Sequence, residues 1–234
     1  MILFVAGIDT AIGKSVATGL MARWYADRGL SVATQKLIQT GCEGFPDDIL
    51  AHRKRMGVDL LPEDRLGLTC PYVFRFPASP HLAAALEGRR VETGRLEEAA
   101  AELARRYDLV LVEGVGGLCV PLTDEITVLD FVAGRRWPVV LVTAPRLGSI
   151  NHTLLSLEAL CARGVTVAAV VYNLHYPASP EIVSDSRRVI RRALARAGQT
   201  APVIDMNSIP PDGMSTCDFT GLPGRSDAAF GVIT

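Results

Sequence analysis

The sequence predicts a doubly wound α/β fold, a mostly parallel sheet flanked by helices and of the P-loop NTPase kind. Three observations carry this. Short runs rich in β-branched residues alternate with longer helical patterns along the 234 residues. Most of those runs are continuously apolar, as strands covered on both faces are. Polar residues also gather just after each run, at the carboxyl ends of strands where such sheets bind ligands.

The elements follow in order. "ILFVA" is the first strand; it is only one strand long, has no charged stretch before it and is followed at once by a Gly-Lys-Ser loop, so it does not read as a signal peptide. "KSVATGLMARWYADRG" is a helix closed by Gly29, in the position where a left-handed residue ends helices. "SVATQKL" is the second strand, and "DDILAHRKRMG" a short helix after it. Residues 57–92 form a Pro-containing insertion with short helical pieces. The helix "TGRLEEAAAELARRY" leads to the strand "DLVLVEG", and "PVVLVTA" to the helix "SINHTLLSLEALCARG", closed by Gly164. "VTVAAVVYN", the helix "SPEIVSDSRRVIRRALARAG" and "APVID" complete the alternation. From about 206 the Gly, Pro, Ser and Asp mixture reads as irregular. One domain spanning 1–234 is expected, with no internal repeat.

Composition narrows the partners. The chain is 49% hydrophobic and 21% charged, with a net charge of −1, so it offers no basic footprint for nucleic acid and no polybasic helix for a membrane surface. No apolar run approaches the roughly 20 residues of a membrane span. Five cysteines without a Cys-x-x-Cys pair suggest neither a disulfide framework nor a zinc site. Small-molecule substrates and a cytoplasmic location are the expectation.

The chemistry concentrates in "GIDTAIGKS", residues 7–15. Gly7 stands six positions before Gly13, one more than in the common G-x-x-x-x-G-K-[ST] loop, yet the Gly13-Lys14-Ser15 end is intact. A loop between an apolar strand and an amphipathic helix points its N–H groups and the positive helix end at an anion. Asp9, Thr10, Ala11, Ile12, Gly13, Lys14, Ser15 and Val16 are therefore the candidate nucleotide cradle. Lys14 would reach the β- and γ-phosphates and Ser15 would ligate Mg²⁺. Asp9 and Thr10 lie at the lip, toward a second substrate. A glycine turn with a solvated lysine is the competing reading, which the strand-loop-helix context disfavours.

Glu113 closes a strand just before Gly114, Gly116 and Gly117, glycines that permit close backbone approach. It is a candidate Mg²⁺ ligand. Asp48, and less so Asp47, heads the short helix; helix capping accounts for one of the two and leaves the other for the metal. Lys36, at a strand end, would stabilise charge developing in phosphoryl transfer, against the alternative of an edge lysine reaching water.

Five segments in order resemble the ATP-dependent dethiobiotin synthetase family: "GIDTAIGKS", Lys36 with Thr40-Gly41, "PYVFRFPASPHLAA", "VEGVGGLCVPL" and "LGSINHTLLSLEAL". The resemblance runs from residue 2 to about 175. It implies a homodimer that converts 7,8-diaminopelargonate, CO₂ and ATP to dethiobiotin, ADP and phosphate, with Mg²⁺ as cofactor. The diamine is carbamylated, the carbamate takes the γ-phosphoryl group, and the second amine closes the cyclic urea. Residue by residue it implies that Lys14 and Lys36 hold the phosphates, with Gly116 beside them. Ser15, Asp48 and Glu113 take the metal, Thr10 and Thr40 the carbamate, and Asn173 the adenine edge. Gly148, Ser149, Ile150 and Asn151 would receive the substrate carboxylate at a helix start, in a site completed by the second subunit. His81 and His152 lie in family segments without assigned chemistry; His52 and His175 have no role.

The chain also departs from the family. Ala11 stands where an acid is usual, Leu37 replaces the proline after the lysine, Leu174 replaces an acid after Asn173, and "MNSIPPDGM" replaces the usual turn after Asp205. A paralogous ligase for another amine is the alternative that these changes motivate. A ParA-like or MinD-like switch would carry an additional lysine early in the loop, where this chain has Asp9.

Overall fold

A computed structural model describes residues 1–207 and 217–224. Six strands form one parallel sheet in the order β2-β5-β1-β6-β7-β8. They are β1 (Ile2–Gly7), β2 (Val32–Lys36), β5 (Leu109–Glu113), β6 (Val139–Thr143), β7 (Val167–Asn173) and β8 (Val203–Met206), one for each predicted run. Strands β2, β5 and β6 are buried at every position, because helices cover both faces of the sheet. β1 lies between β5 and β6, pairing Ile2 with Val110 and Gly7 with Val142. The glycine that opens the candidate loop therefore leaves the middle of the sheet.

The long predicted helices are α1 (Lys14–Ala26), α5 (Thr93–Arg106), α7 (Ser149–Ala162) and α8 (Pro180–Arg196). The short helix is α2 (Asp47–Met56), and its N-cap residue is Pro46, so neither Asp47 nor Asp48 is spent on capping. The 57–92 insertion holds α3 (Pro62–Arg65), β4 (Val73–Phe74) and α4 (Pro80–Leu86). β4 pairs in parallel with β3 (Gln39–Thr40) as a separate two-stranded sheet. α6 (Val128–Arg135) was not foreseen. It starts at Thr127, whose hydroxyl accepts from Asp130 N (3.1 Å) while Asp130 accepts from Thr127 N (3.0 Å), a reciprocal cap that satisfies two end donors.

Part of the segment expected to be irregular is packed. Phe219 is buried edge-on against Trp24, and the Tyr25 hydroxyl donates to Pro223 O at 2.8 Å, so residues 217–224 lie along α1. Most of "MNSIPPDGM" falls outside the described residues.

The insertion is bolted to α2 by an enclosed ion pair. Arg53 donates from Nε and Nη2 to both oxygens of Asp64 (2.8 and 2.7 Å). Asp64 also accepts from Thr69 Oγ1 and Leu61 N, each at 2.7 Å. Burial alone would raise its carboxyl; the Arg53 and Thr69 hydrogen bonds overcome that and hold it below the ordinary value. Such a pair is net stabilising only while complete, since removing one partner strands a buried charge. We predict that Asp64→Ala lowers stability by about 3–5 kcal/mol in urea unfolding. A depressed carboxyl contributes above its unfolded pKa, so the gap between wild type and variant should shrink as pH falls below about 4. A gap that does not change with acidification would show that the pair does not carry the effect.

Candidate active site

The loop after β1 turns at Thr10–Ala11. Ala11 takes a left-handed conformation (φ 55°), and Gly13 (φ 105°) is the N-cap of α1. The additional residue is thus absorbed in the turn, and Lys14 still opens the helix with its unpaired N–H groups behind it. The loop is braced from the side of β7. Asn173 Nδ2 donates to Ile12 O at 2.9 Å, and the Tyr176 hydroxyl donates to Ala11 O. A Cβ on Gly13 would lie 2.4 Å from Asn173 Nδ2, so this glycine is required for contact as well as for conformation.

Charged groups converge beside the loop. Lys36 and Glu113 are register partners at the ends of β2 and β5, which puts both side chains on one face of the sheet. Lys36 Nζ donates to Glu113 Oε1 (2.8 Å) and Gly114 O (3.1 Å) and pairs with Asp48 Oδ2 (2.7 Å). Ser15 Oγ stands 2.7 Å from Asp48 Oδ1 and 2.9 Å from Glu113 Oε1; with one proton it donates to one of them at a time. Burial alone would lower the Lys36 ammonium, but Glu113 and Asp48 raise it above the ordinary lysine value. Burial alone would likewise raise Glu113, yet Lys36 and then the His52 hydrogen bond hold it far below the usual carboxylate range. Lys14 Nζ donates to Asp9 O at 2.8 Å. Burial first, then the like charge of Lys36, brings its amine down to about 8.

A hydroxyl and two carboxylates pointing at one spot are hard oxygen donors, the set that suits Mg²⁺ when phosphate oxygens and water supply the rest. Among the described residues no group of three or more His, Cys, Asp or Glu forms a cage able to hold a metal by itself. The arrangement fits a cation carried in with phosphate.

One cleft of about 720 Å³ is lined by Thr10, Ala11, Gly13, Lys14, Ser15, Val16, Lys36, Thr40, Asp48, Glu113 and Gly116. Eleven of the sequence-predicted residues therefore share a cavity, although Thr10 and Glu113 are separated by most of half the chain. The cleft is also walled by Gln39, Pro77, Ala78 and Ser79, which sequence reasoning missed. Gln39 has a function legible only in three dimensions: its Oε1 accepts from Asp48 N at 3.2 Å. Ile12 is enclosed behind the loop, and Asn173 contacts the loop from outside the cleft.

Residues 148–151 sit elsewhere, at the start of α7. Gly148 is the left-handed N-cap (φ 87°), Ser149 is buried, and Ile150 and Asn151 are exposed. The Ser149 hydroxyl is enclosed and lacks a hydrogen-bond partner. This corner is tied to the loop by the Arg146–Asp9 ion pair. A second cleft of about 470 Å³ lies between them, lined by Asp9, Thr10, Val120, His152 and Leu155 among others. Thr10 and Val120 line both clefts, so the two join at the lip.

Two substitutions test this geometry. Lys14→Ala should reduce ATP turnover on the order of 10²–10³-fold, as expected for an oriented charge at a reacting phosphoryl group, with unchanged thermal unfolding because its amine holds only one loop carbonyl. Gly13→Ala should weaken ATP binding in calorimetry, since its Cβ cannot coexist with Asn173 in its present place. Wild-type turnover in the first would remove the phosphate reading.

The fold recurs in solved structures. A signal recognition particle 54 kDa protein from Aeropyrum pernix K1, solved with GDP, aligns with a TM-score of 0.54 at 16% identity, covering 92% of this chain and 43% of that one. A ParA family ATPase from Chlorobium tepidum TLS aligns at 0.51 and 14% identity, covering 90% and 85%. At such identities the likeness concerns fold alone. A family profile described as an AAA domain matches residues 2–207. Sequence relatives are much nearer. The ATP-dependent dethiobiotin synthetase BioD of Chlorobaculum tepidum is 54% identical over 88% of this chain and 87% of its own. BioD 2 of Pasteurella multocida is 51% identical over 83% and 92%. With 54% identity over 88% of its length to such an enzyme, the chain belongs to the ATP-dependent dethiobiotin synthetase family.

Proposed function

We propose that the protein is a Mg²⁺-dependent ligase that closes 7,8-diaminopelargonate and CO₂ into dethiobiotin at the expense of ATP. The observation that carries this reading is the single cleft in which Lys14, Lys36, Ser15, Asp48 and Glu113 meet, in a chain of that family. Lys14 and the loop N–H groups bind the phosphates, and Lys36 holds charge as the γ-phosphoryl group moves. Ser15, Asp48 and Glu113 hold Mg²⁺, which supplies charge neutralisation at the phosphates. Lys36 bridges the two carboxylates; were its ammonium to turn to a phosphate, their oxygens would be available to a cation. Thr10 and Thr40, both lining the cleft, receive the carbamate. Asn173 keeps a second Nδ2 hydrogen and a second Oδ1 lone pair for the adenine edge after binding Ile12 O and His175 N.

The diamine's carboxylate belongs at Gly148 to Asn151, at the N-terminal end of α7, where helix electrostatics favour an anion. A straight nine-carbon substrate is about 10 Å long, and a homodimer in which residues 148–151 come from the second subunit would receive its far end. The exposed Leu147, Ile150 and Leu155 beside this corner are apolar surface suited to such an interface.

Purified protein given the diamine, bicarbonate and ATP should form dethiobiotin and ADP in equal amounts; hydrolysis of ATP without the ring product would overturn the substrate assignment. The shared site has its own test. Lys14→Ala and Asn151→Leu chains should each be nearly inactive, whereas random heterodimers gather both lesions in one site and restore roughly a quarter of wild-type activity. Verified heterodimers that remain inactive would show that each chain holds its own complete site.

A further inference from the structure

His52 has no role in the scheme above, yet it is the contact that completes Glu113. Both side chains are fully enclosed. The two oxygens of Glu113 face different ways: Oε1 toward Ser15 and Lys36, Oε2 toward His52 Nε2 at 2.6 Å. His52 follows Asp48 by one helical turn of α2, so the two lie on one face. The same helix thereby delivers Asp48 to Ser15 and Lys36 and brings His52 to Glu113.

The orientation of the imidazole is fixed in turn. Its Nδ1 lies 3.0 Å from Thr34 Oγ1, and Arg53 Nη1 donates to that same oxygen at 2.8 Å. A hydroxyl has one proton. Ionised Glu113 can only accept, so the ring proton of the neutral imidazole is on Nε2 and directed at Oε2, and Nδ1 accepts from the Thr34 hydroxyl while Arg53 donates into its oxygen. Asp64 clamps Arg53 at the far end. The chain of donors therefore has one direction, from Arg53 through Thr34 and His52 to Glu113.

The close approach is independently built into α1. A Cβ on Gly19 would lie 2.6 Å from Arg55 Cβ and 3.2 Å from the His52 Cα, so any larger residue there would push α2 away from α1. Simple packing does not account for the histidine, because an apolar side chain would leave a buried, ionised carboxylate oxygen without a donor.

We propose that His52 is a positioning residue for metal binding: by holding Oε2 of Glu113 it fixes the carboxylate so that Oε1 faces the cation beside Ser15. This rests on the reading of Glu113 as a Mg²⁺ ligand. Fixing a ligating carboxylate through a hydrogen bond of this kind is worth about 10–100-fold in metal affinity.

Two amides separate the halves of the imidazole. In His52→Gln the longer amide can place a donor where Nε2 stands, whereas the shorter amide of His52→Asn can satisfy Thr34 but not reach Glu113. Binding of Mn²⁺, a probe for Mg²⁺, would be followed by electron paramagnetic resonance in the presence of β,γ-methylene-ATP, with Glu113→Gln alongside and thermal unfolding recorded for each protein. The expected result is that His52→Gln binds Mn²⁺ within about threefold of wild type and His52→Asn about 10–100-fold more weakly, while the Michaelis constant for the diamine stays the same in both. Weak binding by Glu113→Gln together with wild-type binding by His52→Asn would overturn the positioning role and leave the metal reading standing. Equal weakening in both amides, in step with lost thermal stability, would reduce His52 to a packing residue. Wild-type binding by Glu113→Gln would overturn the metal reading itself, and the inference with it.

Discussion

A lysine and a glutamate buried side by side at the ends of neighbouring strands set the terms for this site. Taking two charges out of water is costly, and their attraction offsets that only when every remaining proton and lone pair is matched. Lys36 accordingly bridges Glu113, Asp48 and Gly114 O, while Ser15 and His52 serve the carboxylate oxygens. One ammonium against two carboxylates leaves a net negative charge, which Lys14 balances from the loop. The cluster is thus near neutrality, and under the proposed function its groups already stand where a triphosphate would meet them. Little reorganisation is needed, which is the condition under which fixed charges serve phosphoryl transfer well.

The framework around the pair has a division of labour. The sheet supplies position, because β2 cannot slip by one residue against β5 without placing the Lys36 and Glu113 side chains on opposite faces. α2 supplies two groups from one face, and its Arg53–Asp64 attachment carries the rigidity of the insertion into the cluster. The insertion itself brings Pro77 to Ser79 into the lining of the same cleft. A segment without long elements of its own therefore both anchors α2 and forms part of the cleft lining.

What was legible in the sequence is what is local or periodic. The six sheet strands stood out because burial on both faces makes each one a continuous apolar run, and the long helices because glycines close three of them. The Gly13-Lys14-Ser15 end, Lys36 and Glu113 were legible since strand ends are where such sheets present chemistry. α6 escaped for its shortness and its internal Gly134, although the Thr127 and Asp130 cap was a readable signal. β3 and β4 are two residues each, and only their meeting in space defines them. His52 could not be assigned because its partners are Thr34 and Glu113, residues distant along the chain, and a lone histidine on a helix carries no sign of them. The packing of residues 217–224 on α1 was hidden for the same reason, in a stretch whose composition suggests irregularity.

The central place of β1 has a consequence for the birth of the molecule. Its neighbours in the sheet are β5 and β6, so β1 has no sheet partner until residues 109–113 have left the ribosome. At ordinary rates of translation that delay is on the order of ten seconds, during which an apolar segment and the glycine loop behind it stay unpaired. The loop behind β1 is therefore made well before the strands that seat it, so its final shape waits on a segment about a hundred residues farther along.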